Sequence, residues 1–356
     1  MAKSSFFVKV PKKQGQKTLT LASKLELIDK SLEIQRNEDN LCIPLSRQPQ
    51  NSELAIFRSL IPDIQISTSV FLEKQLPPKT LVQVLSNRLP TDLLTNLPQA
   101  LDVIGDIAII EIPSDLKPYE NLIGEAILKT HLNIKTVLAK AGPISGTYRV
   151  RDYTFVAGEQ KTKTVHREFG VTYHVDVAKA YFSPRLSYEH ERVASLVQPG
   201  ETVVDLFAGV GPFSILIAKK NLKVKVYAVD INPEAVELLK VNARVNRVEN
   251  RIFPILGDAR QITATTLNDS ADRVIMNLPE TAIEFVDAAC QAIKPKGGII
   301  HFYGFVHSPD SVEDLKLLFS GAVEKTGRKL ESYIYAKSIR ETAPYESQIV
   351  LDAKVV

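Results

Sequence analysis

From Thr202 to Lys220 the chain reads TVVDLFAGVGPFSILIAKK: an apolar strand ending in Asp205, glycines at 209 and 211, then a helical run from Ser214. A strand that turns through glycines directly into a helix constrains a fold strongly. The backbone must reverse within a few residues and leave space for a ligand where a Cβ would intrude. Further strand patterns follow, KVYAVDI, FPILGD, DRVIMNLP and GGIIHFYGF, with helical segments between them. This alternation predicts an α/β fold from residue 170 to 356, with a doubly wound, Rossmann-like parallel sheet covered on both faces.

At 356 residues the chain is long enough for two or three cores. The stretches LSRQPQNSE at 45–53 and KQLPPKT at 74–80 break the apolar patterning and read as loop or linker. A small N-terminal domain is therefore expected over residues 1–70. Between them and the sheet, LDVIGDIAIIEIP carries a β pattern, and NLIGEAILKTHLNIKTVLAK a helix followed by a strand. An α+β middle domain is expected over 71–169. The N-terminus lacks the apolar core of a secretory signal and no run is long enough to cross a bilayer, so a cytoplasmic protein without membrane attachment is expected. Cys42 and Cys290 are distant and unpaired in pattern; both are read as buried thiols, and no metal site is expected.

The net charge of +3 decides nothing by itself, but its distribution is uneven. Lys3, Lys9, Lys12, Lys13, Lys17 and Lys24 occur in the first 25 residues without an acid. Residues 129–167 hold eight Lys/Arg against Asp152 and Glu159. Either zone can be an ordinary solvated face or an anion-binding surface.

Alone, the Gly209-x-Gly211 turn suits a dinucleotide, another nucleotide or a plain strand-to-helix connection. The acids that follow narrow the choice. Asp230 ends the next strand, where a carboxylate can accept both hydroxyls of a ribose. Asp258 ends the third, within reach of the exocyclic amine of an adenine, and Asn277-Leu278-Pro279-Glu280 ends the fourth. Singly, Asp230 and Asp258 serve equally well as helix N-caps. As a set, polar groups at successive strand ends converge on one crevice.

These residues carry a resemblance. DLFAGVGPF, the acid of AVDINP, GDAR and NLPE, together with VDVAKAYFSPRL upstream and SIRETAPYESQIVLD downstream, resemble the archaeal and eukaryotic class I tRNA (guanine-N1)-methyltransferases that act on guanosine 37. The likeness covers most of residues 80–356 and is weak before residue 70. It implies S-adenosylmethionine as cofactor, held by Tyr181, Phe182, Arg185, Asp205, Phe207, Ala208, Gly209, Gly211, Asp230, Ile231, Asp258, Ala259, Asn277 and Pro279. It further implies a tRNA substrate gripped by the basic zones, Lys161 and Lys163 included, and by the N-terminal domain. A monomer is expected.

Guanine N1 carries a proton at neutral pH, so methylation needs a base and a group that stabilises charge on O6. The resemblance gives these roles to Glu189 and Arg149, with Asn277 and Pro279 beside the base. Arg151, two residues on, would face the same way as Arg149 on a strand. Read without the resemblance, Glu189 is an exposed helix residue paired with Arg192 at i,i+3. Leu278 and Glu280 depart from the N/D-P-P-Y/F motif of exocyclic-amine methylation and fit the N-x-P of N1 enzymes. The competing readings are a wybutosine-pathway relative, acting by aminocarboxypropyl transfer or carbon methylation, and an inactive tRNA-binding scaffold. A nicotinamide dehydrogenase is disfavoured because Ser214 stands where a third glycine is needed.

Overall fold

In the N-terminal unit, apolar residues alternate along the first strand and fold against two short amphipathic helices. The computed structural model describes residues 2–37, 39–61, 64–74 and 80–356, and the chain divides into compact units of residues 1–77 and 78–356. The first holds β1 (Ala2–Pro11), α1 (Gly15–Lys24), β2 (Gln35–Arg36), β3 (Asn40–Leu45), α2 (Asn51–Leu60) and β4 (Gln65–Leu72), with sheet order β2-β3-β1-β4. Val8, Val10, Leu27, Ile43, Leu45, Phe57 and Ile61 form its core. The expected limit at residue 70 falls inside β4, whose Val70 pairs with Ser4, so that strand belongs to this unit. The expected loop at 45–53 is loop only in part: its last residues open α2, where Glu53 accepts the Gln50 backbone N–H. Of the linker expected at 74–80, residues 75–79 lie outside the described residues. Cys42 is half-buried, not buried, because it lies on β3 in the less covered part of the sheet; Cys290 is buried.

The second unit opens with α3 (Leu81–Leu85), β5 (Asp102–Ile104), β6 (Ile107–Ile110), α4 (Glu120–Thr130), β7 (Thr136–Lys140) and β8 (Tyr153–Gly158). These form a sheet of order β5-β6-β7-β8 in which only β6 and β7 are parallel, joined by the crossover helix α4. Gly124 lets α4 lie close on the sheet, since a Cβ there would meet Val156 Cγ1 at 2.6 Å. A hairpin follows, β9 (Lys163–Glu168) with β10 (Val171–Asp176), so residue 169 falls in its turn.

The large sheet comprises α5 (Ser187–Leu196), β11 (Thr202–Asp205), α6 (Pro212–Lys220), β12 (Lys225–Asp230), α7 (Pro233–Val245), β13 (Ile252–Leu256), α8 (Ala259–Thr265), β14 (Arg273–Met276), α9 (Val286–Ala292), β15 (Gly298–His307), α10 (Val312–Glu324), β16 (Leu330–Ala343) and β17 (Glu346–Val355). Its order is β13-β12-β11-β14-β15-β17-β16. The strands from β13 to β15 are parallel, and β17 and β16 close the edge antiparallel. Two buried clusters, one on each face, supply the hydrophobic stabilisation. The order reverses beside β11, between β12 and β14, and that is where a doubly wound sheet opens a crevice.

One connection within this unit depends on side-chain amides. Asn242 of α7 and Asn246, the residue that caps the helix, pair with the exposed backbone edge of β10. Asn242 Oδ1 accepts the His174 N–H at 2.6 Å and its Nδ2 donates to the His174 carbonyl at 3.0 Å. Asn246 does the same for Thr172, at 3.0 and 2.6 Å. Two helix residues thus act as a substitute strand, which anchors the hairpin preceding Tyr181 and Phe182.

Candidate active site

A cavity of about 760 Å³ lies at the carboxyl ends of β11, β12, β13 and β14, within the range that accepts nucleotide-sized ligands. The sequence sets its floor. Asp230 ends β12 with Oδ2 accepting the Gly209 backbone N–H at 2.6 Å and Oδ1 accepting that of Asn232 at 2.9 Å. Each oxygen keeps lone pairs for a further donor. Burial raises the Asp230 carboxyl from its ordinary value, and the backbone N–H groups work against that rise. Gly209 has φ 55°, a left-handed conformation that side-chain-bearing residues rarely adopt, and this turn presents its N–H to Asp230. Asp258 lines the cavity while capping α8 through the Gln261 N–H, so the cap role does not withdraw it from the crevice.

Most of the expected cofactor residues line this cavity: Tyr181, Phe182, Arg185, Phe207, Ala208, Gly209, Asp230, Ile231, Asp258, Ala259, Asn277 and Pro279. Asp205 and Gly211 do not, and each has a packing reason. Asp205 is buried with Oδ2 accepting the Ser214 hydroxyl at 2.7 Å; desolvation raises its carboxyl to about 7. Gly211 sits at φ 92°, where a Cβ would meet Leu239 Cδ1 at 2.3 Å, so glycine there lets α6 pack on α7. Asn277 lines the cavity, and its buried Oδ1 has no hydrogen-bond partner among the described residues. Such an atom is costly unless a ligand donor satisfies it.

The basic side of the cavity comes from the loop after β7. Ser145 and Val150 form an isolated bridge, and Arg149 lies in the turn between them at φ 52°. The strand alternation expected to relate Arg149 to Arg151 is therefore absent, although both line the cavity. Arg149 Nη1 and Nη2 donate to Glu280 Oε2 and Oε1 at 2.6 and 2.7 Å, joining this loop to the Asn-Leu-Pro-Glu segment. Arg149 holds the Glu280 carboxyl below its ordinary value. Arg185 is paired with Asp102 of β5.

Glu189 stands one layer behind the wall. It is 2% exposed on α5, and its carboxylate accepts Arg192 Nε at 3.0 Å and the Tyr303 hydroxyl at 3.0 Å. Arg192 also donates to Asp352 at 2.6 Å, and Asp352 is bonded to His301 Nδ1 at 2.6 Å. The i,i+3 pair with Arg192 exists but is buried, contrary to an exposed helix face, because β17 and β15 cover it. His190, the next residue, lines the cavity and is bonded to Glu168 at 2.7 Å.

Sequence reading missed Arg340 and Gln348, which line the opposite wall from the β16–β17 hairpin. Arg340 Nε donates to Gln348 Oε1 at 2.9 Å, and Gln348 Nε2 is buried without a hydrogen-bond partner among the described residues. Both lie in SIRETAPYESQIVLD, the downstream segment that carries the resemblance, but no role is assigned to either there; the antiparallel register brings them to the cavity. Lys161 and Lys163 lie elsewhere, in a groove shared with Lys135, His166 and Arg167. Lys161 is held by Asp106 and Glu159, both at 2.8 Å.

Comparison with known proteins gives this crevice a family. The profile of the TRM5/TYW2 methyltransferase domain matches residues 164–331. Those of the TYW2 N-terminal domain and the tRNA methyltransferase 5 N-terminal domain match 81–162 and 8–53. A tRNA (guanine(37)-N(1))-methyltransferase Trm5b of Pyrococcus abyssi is 39% identical over 355 residues, 98% of each chain. The chain belongs to the TRM5/TYW2 methyltransferase family. Within that family, the solved complex of aTrm5 and tRNALeu covers 98% of this chain and 99% of its own, at TM-score 0.69 and 32% identity. A TYW2 of Pyrococcus horikoshii in complex with MeSAdo covers 77% of this chain and 97% of its own, at TM-score 0.66 and 32% identity. The donor set of this TRM5/TYW2 member fits an S-adenosyl cofactor: an acid with lone pairs to spare in Asp230, a glycine turn beside it, and an Asn277 acceptor without a partner among the described residues, at adjoining strand ends. Among the described residues, no group of three or more His, Cys, Asp or Glu is placed to hold a metal ion. No helix among them is long and apolar enough to cross a membrane.

Proposed function

We propose that this chain transfers the methyl group of S-adenosylmethionine to N1 of guanosine 37 in tRNA. The observation that carries the reading is the Arg149 guanidinium at the Asn-x-Pro loop, a cation where charge develops on guanine O6 as N1 loses its proton. The cofactor supplies an electrophilic methyl group on a sulfonium sulfur. Asp230 holds the ribose hydroxyls, Asp258 the adenine amine, and Tyr181 and Phe182 cover the adenine. Asp205 and Gly211 shape the turn from behind. Asn277 and Pro279 orient the target base, which has to leave its stack to enter the crevice.

Glu189 takes the N1 proton in this reading. Its support is position: it follows the cavity-lining Pro184-Arg185-Leu186 and adjoins His190. Acting so requires the carboxylate to give up Arg192 and Tyr303 and turn to the cavity, a rearrangement that tRNA binding would drive.

Arg151 attends the neighbouring phosphates, and Lys163, Lys135 and Arg167 hold the more distant backbone, with Lys161 stiffening their groove through its ion pairs. The unit of residues 1–77 grips a second part of the same tRNA through its lysines, and the enzyme works as a monomer. The wybutosine-pathway reading draws on the TYW2 N-terminal match, but the TYW2 structure spans 77% of this chain against 98% for the Trm5 complex. Incubation with labelled S-adenosylmethionine and an unmodified tRNA transcript, followed by nucleoside analysis, tests the proposal. Label in N1-methylguanosine is expected; label in another nucleoside, or none, rejects it.

A further inference from the structure

Turning Glu189 to the cavity takes a carboxylate away from Arg192 in a desolvated place, and the shape of the guanidinium decides what that costs. Glu189 occupies its side edge, accepting Nε at 3.0 Å and Nη2 at 2.8 Å. Asp352 occupies its end, accepting Nη1 at 2.6 Å and Nη2 at 3.2 Å. A planar fork with donors along two edges can release one carboxylate and keep the other in place. The Tyr335 ring covers a face of the same guanidinium, with Cζ 4.5 Å from the ring centroid. Arg192 therefore has two supports, Asp352 and Tyr335, that do not depend on Glu189.

The residues behind Asp352 leave its charge to Arg192. Arg273 Nη1 lies 2.8 Å from His301 Nε2, and an arginine can only donate, so Nε2 accepts and the ring proton sits on Nδ1. Nδ1 then donates to Asp352 Oδ1 at 2.6 Å. Burial lowers the His301 pKa from its ordinary value, and the Arg273 and Arg192 cations act with it against Asp352. Arg273 is itself paired with Glu201 at 2.9 Å. A neutral His301 orients Asp352 without cancelling its charge. We propose that Asp352 is a positioning residue for the base: it retains Arg192, so that Glu189 can leave for the cavity without stranding a buried cation. This rests on the reading of Glu189 as the group that takes the N1 proton. With Asp352 ionised, opening the cluster removes one carboxylate of two. Without that charge, opening leaves Arg192 with none, and the cost of an unpaired buried cation is added to the catalytic step.

The test is a double-mutant cycle between Asp352→Asn and Glu189→Gln, read in single-turnover methylation at saturating tRNA and S-adenosylmethionine and corrected for the folded fraction. Asp352→Asn keeps the shape and one acceptor oxygen but not the charge. It should slow methyl transfer about tenfold or more, the scale of coupling within one buried network, and Asp352→Glu should recover part of the rate. In the Glu189→Gln background, where no carboxylate leaves Arg192 to take the proton, Asp352→Asn should make no further difference. Tyr335→Leu removes the other support of Arg192 while stranding no charge, and it covers the case in which Asp352→Asn does not fold. It too should slow the enzyme that has Glu189 and leave the Glu189→Gln enzyme unchanged. A variant that slows both backgrounds by the same factor acts through the fold alone and overturns the inference, as does Asp352→Asn at the wild-type rate. Failure of the underlying reading looks different: Glu189→Gln by itself would then methylate at the wild-type rate.

Discussion

Two arginine–carboxylate clusters in the second unit use the same chemistry in opposite settings. Arg192, Glu189, Asp352 and His301 form a closed group in which the side chains of Glu189, His301 and Asp352 are all but inaccessible. Arg149 and Glu280 form an open one at the cavity wall. A closed cluster is bound into the fold because each charge removed strands another in a desolvated place. An open pair gains little stability and can exchange partners with a ligand. The difference teaches that a carboxylate's chemical availability follows from what covers it, not from how many bonds it makes.

The largest expected effect is on the closed cluster. Arg192→Ala leaves Glu189 and Asp352 buried without their cation and should cost about 3–5 kcal/mol of stability in urea unfolding. A loss near that of an exposed pair would erase the distinction between the clusters. Arg149→Ala should do the reverse. Stability should change by no more than about 0.5 kcal/mol, while single-turnover methyl transfer slows on the order of 10²–10³-fold, the effect of losing one preorganised donor. Should Arg149→Ala slow methyl transfer less than Arg149→Ala/Arg151→Ala, the two arginines share O6.

Acidity sharpens the comparison. Burial alone would raise the Asp352 carboxyl, but His301 and Arg192 outweigh it and hold it at about 2. Its folded value lies below the unfolded one, so its contribution, about 2 kcal/mol, is present above the ordinary carboxylate range and lost as pH falls toward 2. Asp205 has the opposite sign. With the folded carboxyl raised to about 7, the folded state binds the extra proton, so stability declines as pH rises from the ordinary value of 3.8 to about 7. Unfolding midpoints of Asp352→Asn and Asp205→Asn against pH should therefore diverge from the wild type in opposite directions; parallel curves would contradict both assignments. At the small end, Asp230→Ala should weaken cofactor binding by about 1–3 kcal/mol in calorimetry, and unchanged affinity would move the ribose elsewhere.

Local pattern carried much of this architecture. The glycine turn after β11 and the acids at the ends of β12 and β13 are legible because each is a local device whose physics is contained in a few residues. So is the parallel alternation from β11 to β15. Asp205 and Gly211 stand among the expected cofactor residues but not in the cavity wall, because motif spacing does not distinguish a residue that lines a cavity from one that supports the turn. Arg149 was read as a strand residue because nothing in TYRVRD announces a left-handed turn at a non-glycine position. Arg340 and Gln348 lie in a segment that carries the resemblance, but nothing local gives them a place at the cavity, since they reach it through the antiparallel return of β16 and β17. The burial of Glu189 was equally hidden: its cover comes from Tyr303 and Asp352, more than a hundred residues away.

The proposed mechanism requires the closed cluster to open and deliver Glu189 to the N1 proton while Arg149 holds the base at O6. Single-turnover methylation by Glu189→Gln, corrected for the folded fraction and measured across pH, tests it most directly. Glutamine keeps the shape and accepts from Arg192 and Tyr303 but cannot take the proton. The rate should fall on the order of 10²–10⁴-fold near neutral pH, with tRNA and cofactor affinities close to wild type. Methylation at the wild-type rate would contradict the claim and leave Glu189 as part of the fold alone.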